Sequence, residues 1–119
     1  MDITCGSNMY IDIETDDNQL IYDLFKKAIK DDKEISKGES IELNGVIIKY
    51  NGIQKKRNLD IPTTFQLIVT FVSGSASGLF ANWLYDKIYG KANTLSIDKK
   101  IIEIDKGEIK RIIETHIEK

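Results

Sequence analysis

Between Ile61 and Tyr85 no side chain is charged, and this stretch limits what the chain can become. It is the longest apolar run in the sequence and it carries the one tryptophan, Trp83. Such a run has to be buried against other elements or placed in a membrane. Read locally, Asp60 caps a helix, Pro62 is tolerated in its first turn, and Gly90 stops it after Tyr89. A helix of that length measures roughly 40 Å, longer than the roughly 30 Å of a small domain. Gly74, Ser75, Ser77 and Gly78 sit near its middle, so a kink or a break is expected there. The half beyond them is amphipathic. Ala76, Leu79, Phe80, Trp83, Leu84 and Ile88 share one side, which makes Trp83 a core anchor and Gly78 a point of close packing, costlier to enlarge than Gly52. The competing reading of the same aromatic end, with Phe80 and Tyr85, is a patch for a partner or a homo-oligomer.

The rest of the chain reads as cover for this stretch. Met9, Ile11 and Ile13 alternate with Tyr10 and Asp12, the mark of a strand. Asp16 or Asp17 then caps a helix whose apolar face is Leu20, Ile21, Leu24, Phe25, Ala28 and Ile29. Asn44-Gly45 supplies the two positive φ angles of a type I′ turn, pairing Leu43 with Val46 and Ile41 with Ile48. Thr94 to Ile104 reads as a second hairpin turning at Lys99-Lys100, with Ile97 opposite Ile102 and Leu95 opposite Ile104. Asp105 and Glu108 have capping-box spacing before a last helix with Ile109, Ile112, Ile113 and Ile117 on its apolar face. The expectation is one α+β domain over residues 1–119. It has a mainly antiparallel sheet of about five strands and three helices in the order β-α-ββ-α-ββ-α, with the central helix broken or kinked near Gly74–Gly78.

Composition narrows the function. Seventeen basic residues against nineteen acidic give a net charge of −2, so no field draws the chain to nucleic acid, and none is expected as a partner. One cysteine, Cys5, leaves no internal disulfide, and no signal peptide is visible at MDITCGSNMY, which together suit a cytoplasmic setting. Lys55-Lys56-Arg57, beside Asn51-Gly52, is the one basic cluster and the candidate binding residues of the chain, with a solvated loop as the plainer reading. Asp12-Ile13-Glu14 resembles the strand-borne Asp-x-Glu of DnaQ-like exonucleases, where the pair binds two metals. That chemistry needs further carboxylates and a general base. The only histidine is His116, at the rim of the last helix, and Asp12, Glu14, Asp16 and Asp17 also read as strand-exposed and helix-start acids. No zinc cluster, phosphate loop or catalytic constellation is apparent, so no cofactor or metal is expected. Gly74 and Gly78 form a G-x-x-x-G, and residues 64–85 are long enough to cross a bilayer. Gln66, Thr70, Ser73, Ser75, Ser77 and Asn82 dilute the run, which leaves membrane association as an alternative to a buried helix.

Three segments together resemble one family. An early strand leads into an amphipathic helix, IDIETDDNQLIYDLFKKAIKDD. A small-residue stretch precedes an aromatic end, VSGSASGLFANWLYDKI. A β-branched strand pair runs into a short closing helix, TLSIDKKIIEIDKGEIKRII. In pattern and order the chain resembles the effector-associated constant component proteins of bacterial conflict systems. The hairpin ELNGVIIKY and the lysine-rich composition depart from that pattern. The resemblance implies no catalytic residues. It implies a non-enzymatic module that binds a protein partner, as an adaptor or as an antagonist or immunity factor in a bacterial or phage conflict system.

Overall fold

The computed structural model describes residues 8–17, 19–25, 37–43, 45–55, 62–72 and 76–117. The strands are β1 (Asn8–Thr15), β2 (Ser40–Leu43), β3 (Val46–Lys55), β4 (Thr63–Phe71), β5 (Ala92–Ile97) and β6 (Lys100–Ile102). The helices are α1 (Leu20–Phe25), α2 (Ser77–Ile88) and α3 (Lys106–Ile117). The six strands form one open antiparallel sheet in the order β2-β3-β4-β1-β5-β6. β4 and β5 flank β1 and both run antiparallel to it, so they are parallel to each other. The chain passes from β4 to β5 through α2, a split β-α-β arrangement. The fold is therefore α+β.

The uncharged stretch is not one helix. Its first half, Thr63–Phe71, is a strand beside β1 in the middle of the sheet, and only Ser77–Ile88 is helical. Two physical terms decide this. Thr63, Thr64, Phe65, Ile68, Val69, Thr70 and Phe71 are β-branched or aromatic, and they lose side-chain freedom in a helix. They also alternate. Phe65, Leu67, Val69 and Phe71 are buried, while Thr64, Gln66, Ile68 and Thr70 turn to the other face and are half-buried. Gln66 and the threonines lack charge, so this second face adds little contrast to the apolar one, and a period of two passes for continuous apolarity. Among the described residues no helix is long and apolar enough to cross a membrane, and residues 64–85 are shared between a central strand and α2.

The first hairpin has the expected register, Leu43 opposite Val46 and Ile41 opposite Ile48, with Gly45 at φ 94°. In the second, Leu95 faces Ile102 and Ile97 faces Lys100, two residues away from the expected pairing. The turn is Asp98-Lys99, with φ of 51° and 71°. Aspartate tolerates the left-handed region better than most residues, and two successive positive φ angles are what a type I′ turn requires. A shift of two keeps every side chain on its own face, so the burial pattern survives the change.

Alternating residues of the strands meet the helices in one core. Met9, Ile11 and Ile13 of β1, Leu67 and Val69 of β4, and Leu95 of β5 are buried against Leu20, Leu24, Phe80, Leu84, Ile88, Ile109 and Ile113. Phe80 is an aromatic hub, edge-on to Phe71 at 5.6 Å and stacked on Trp83 at 5.7 Å. Trp83 packs on this core while staying partly exposed, and Leu79, expected beside it, is 58% exposed. Local bonds set the helix starts. The Asp17 carboxylate accepts from the Gln19 N–H ahead of α1, and Asp105 accepts from the Glu108 N–H at the start of α3. The reciprocal half of that capping box is not made, because Glu108 pairs with Arg111 instead. Buried Thr15 joins three segments. Its hydroxyl donates to the Lys91 carbonyl at 2.6 Å and accepts from the Asp17 N–H at 2.9 Å.

Gly52 and Gly78 exchange the roles expected of them. Between Tyr50–Leu67 and Ile53–Phe65, β3 places Asn51 and Gly52 opposite the single residue Gln66, a bulge, and Gly52 sits at φ 91°. Gly78 lies in the first turn of α2, where an added Cβ meets only the end of the Lys110 side chain at 3.9 Å. Gly52→Ala is expected to cost about 1–2 kcal/mol through left-handed strain. Gly78→Ala is expected to stabilise by up to about 1 kcal/mol, because alanine holds a helix better than glycine. Urea denaturation midpoints that move in opposite directions are the predicted outcome.

Candidate binding face

The strand side chains opposite the core point to a face that no described helix covers. Cross-strand register arranges them in rows. Lys49, Ile68 and Tyr10 make one row, Gln66, Asp12, Ser96 and Ile101 the next, and Thr64, Glu14 and Thr94 a third. Ile47 lies opposite Thr70 at the β3 side. Among the described strand residues of this face, Tyr10, Ile47 and Ile101 are large hydrophobics that stand out in solvent, at 41%, 37% and 76% exposure. They flank a polar centre instead of forming one apolar sheet.

That centre is ordered by side-chain hydrogen bonds across four strands. Asn51 donates to the Gln66 carbonyl at 2.6 Å, and the Gln66 amide donates to Asp12 Oδ1 at 3.0 Å. The Thr94 hydroxyl donates to Glu14 Oε1 at 2.8 Å, and the Thr70 hydroxyl to Asn8 Oδ1 at 2.8 Å. The bulge at Asn51-Gly52, which Gly52 makes possible by its positive φ, sets Asn51 beside Gln66 and so positions this relay. Between the second and third rows lies a shallow cavity of about 340 Å³ lined by Asp12, Glu14, Thr64, Thr94, Ser96 and Ile101. Asp12 and Glu14 are two residues apart on one strand, so both carboxylates reach the same side of the sheet.

The acidic pair named from sequence is thus brought to one hollow. Its expected companions are not. Among the described residues no group of three or more His, Cys, Asp or Glu is placed to hold a metal ion. His116 lies away from the pair, its Nδ1 3.1 Å from Asp98 Oδ2, while Asp98 Oδ1 accepts from the Tyr10 N–H at 3.0 Å. The histidine therefore ties the end of α3 to the β5–β6 turn and the start of β1, a structural role. Lys55 ends β3 opposite Thr64, while Lys56, Arg57 and Cys5 lie outside the described residues. Nothing in the local sequence marks Gln66, Thr94 and Ser96 as site residues. They lie 54 to 84 positions from the acids they accompany, and no local motif links them.

A second exposed group lies on the helix layer. Leu79 and Tyr89 are 58% and 63% exposed, and Tyr85 packs on Tyr89 with Lys106 Nζ 5.4 Å from its ring centroid. Desolvation, with Tyr89, Asp105 and Asp86 nearby, raises the Tyr85 phenol above its ordinary value.

No family model, curated protein or solved structure matches the chain. The reading of its function therefore rests on its own residues.

Proposed function

We propose that the domain is a non-enzymatic protein-binding module that engages its partner through the helix-free face of the sheet. The observation that carries this reading is the make-up of that face. Exposed Tyr10, Ile47 and Ile101 surround a polar centre already ordered by hydrogen bonds. Aromatic and aliphatic anchors around pre-positioned polar groups suit a protein interface, because little side-chain freedom is lost on docking. The adaptor or antagonist role in a conflict system follows from the pattern resemblance, and the near-neutral charge accords with a protein ligand over nucleic acid.

Affinity purification from the native cells tests the reading, with the wild type compared quantitatively against Tyr10→Glu, Ile47→Glu and, on the helix layer, Leu79→Glu. Each substituted side chain is exposed, so all three variants are expected to fold. The expected result is a stoichiometric partner that is lost at least about tenfold with both sheet-face variants, as anchor residues at an interface behave, and kept with Leu79→Glu. A partner lost only with Leu79→Glu moves the interface to the helix layer, and no stoichiometric partner for the wild type removes the proposal.

A further inference from the structure

We propose that Asp98 is a positioning residue for the sheet-face anchor Tyr10, and that His116, which holds Asp98, couples the end of α3 to that anchor. This rests on the sheet-face reading above and goes on to what sets the geometry of its anchor. The β1–β5 ladder ends at Ile11–Ile97, so Tyr10 and Asp98 face each other just beyond it. The Asp98 N–H donates to the Tyr10 carbonyl at 2.8 Å. In an ordinary antiparallel pair the return bond runs to a backbone carbonyl. Here Asp98 has turned into the left-handed region at φ 51°, and its carboxylate receives the Tyr10 N–H instead, at Oδ1 and 3.0 Å. One aspartate thus opens the turn and closes the ladder.

The second oxygen of the same carboxylate is held from the helix layer. His116, in the last turn of α3, has its Nδ1 3.1 Å from Asp98 Oδ2. A carboxylate only accepts, so Nδ1 carries the proton of this contact. The other ring nitrogen, Nε2, is buried with no hydrogen-bond partner among the described residues. An apolar side chain would fill the same place without burying a bare nitrogen, so the hold on Asp98 is what the imidazole adds. The Asp98 side chain is 42% exposed, and without that hold it has solvent to turn into. Tyr10 is paired on its other side with β4, opposite Ile68, so the Asp98 bond is what fixes it toward β5. Its ring stands out on the helix-free face. An anchor held in place before docking loses less freedom when it docks.

The test reads amide exchange in the free domain by NMR and, in parallel, capture of the stoichiometric partner from the native cells. Asp98→Gly keeps the left-handed turn and removes the carboxylate. It is expected to speed Tyr10 N–H exchange at least about tenfold relative to Val69 in mid-β4, as loss of a bond to a charged acceptor does. Capture is expected to fall at least about threefold, the lower end of the cost of ordering one side chain. His116→Leu is expected to move both readouts the same way by less. His116→Asn, which keeps an N–H donor near the place of Nδ1, is expected to stay close to wild type. Unchanged Tyr10 exchange in Asp98→Gly overturns the positioning role. So does faster exchange with capture unchanged while Tyr10→Glu releases the partner, and the sheet-face reading then stands without it. No response to His116→Leu removes α3 from the role. A partner kept by both Tyr10→Glu and Ile47→Glu overturns the sheet-face reading and the positioning role together, whatever the exchange shows, and Asp98 then serves the fold alone.

Discussion

Leu67→Asp is expected to abolish the folded state, while Ile68→Glu, one residue further along the same strand, leaves it intact. Leu67 is fully buried between β1 and β3, opposite Ile11 and Tyr50. Removing its side chain alone costs about 2–5 kcal/mol. A carboxylate in its place has no cation to meet, and burying it adds several kcal/mol more. The sum is comparable to the roughly 5–15 kcal/mol that holds an ordinary domain together. Ile68 points to the helix-free face between Tyr10 and Lys49, where a glutamate has water and a cross-strand cation. Its expected cost is about 1 kcal/mol, from the part of the isoleucine that is buried. Circular dichroism and a thermal melt decide the outcome. A helix over residues 60–89 sets no alternation of two at this place, so equal damage from both substitutions contradicts the strand.

Phe80→Ala is expected to destabilise by about 3–5 kcal/mol. Phe80 is 1% exposed and is the aromatic side chain among those that α2 buries on the sheet, edge-on to Phe71 of β4 and stacked on Trp83 one turn along α2. Its loss removes two ring contacts as well as buried area, and each such pair adds roughly 0.5–1.5 kcal/mol. Trp83→Ala is expected to cost less than Phe80→Ala, because Trp83 keeps one side in solvent. Chemical denaturation of the two variants checks that order. A larger loss at Trp83 would place the tryptophan, and not the phenylalanine, at the centre of the core.

The first hairpin was legible because Asn44-Gly45 in the sequence is a two-residue turn signal, and the β2–β3 register has the pairing that signal implies. The second was legible as a hairpin but not in register, because its turn uses Asp98-Lys99, a pair without glycine whose left-handed geometry only the folded sheet demands. β4 is hidden in the sequence because its outward residues, Thr64, Gln66, Ile68 and Thr70, are uncharged and leave no visible period of two. Those residues lie on the same face as the hydrogen-bonded centre. Of the candidate site, the spacing of Asp12 and Glu14 placed two carboxylates on one side of one strand. Gln66, Thr94 and Ser96 come from two other strands, and only the sheet order β4-β1-β5 brings them to the acids. The basic cluster at Lys55-Lys56-Arg57 is only reached by the described residues at Lys55, the last residue of β3.

The sheet-face account is tested most directly by photo-crosslinking in the native cells, with a benzoylphenylalanine placed at Tyr10 or Ile101 on the sheet face, or at Leu79 on α2. All three positions are exposed, so the probe disturbs packing little wherever it is placed. The account predicts the same single protein adduct from Tyr10 and Ile101 and none from Leu79. An adduct from Leu79 alone, or no adduct from either sheet-face position, contradicts it.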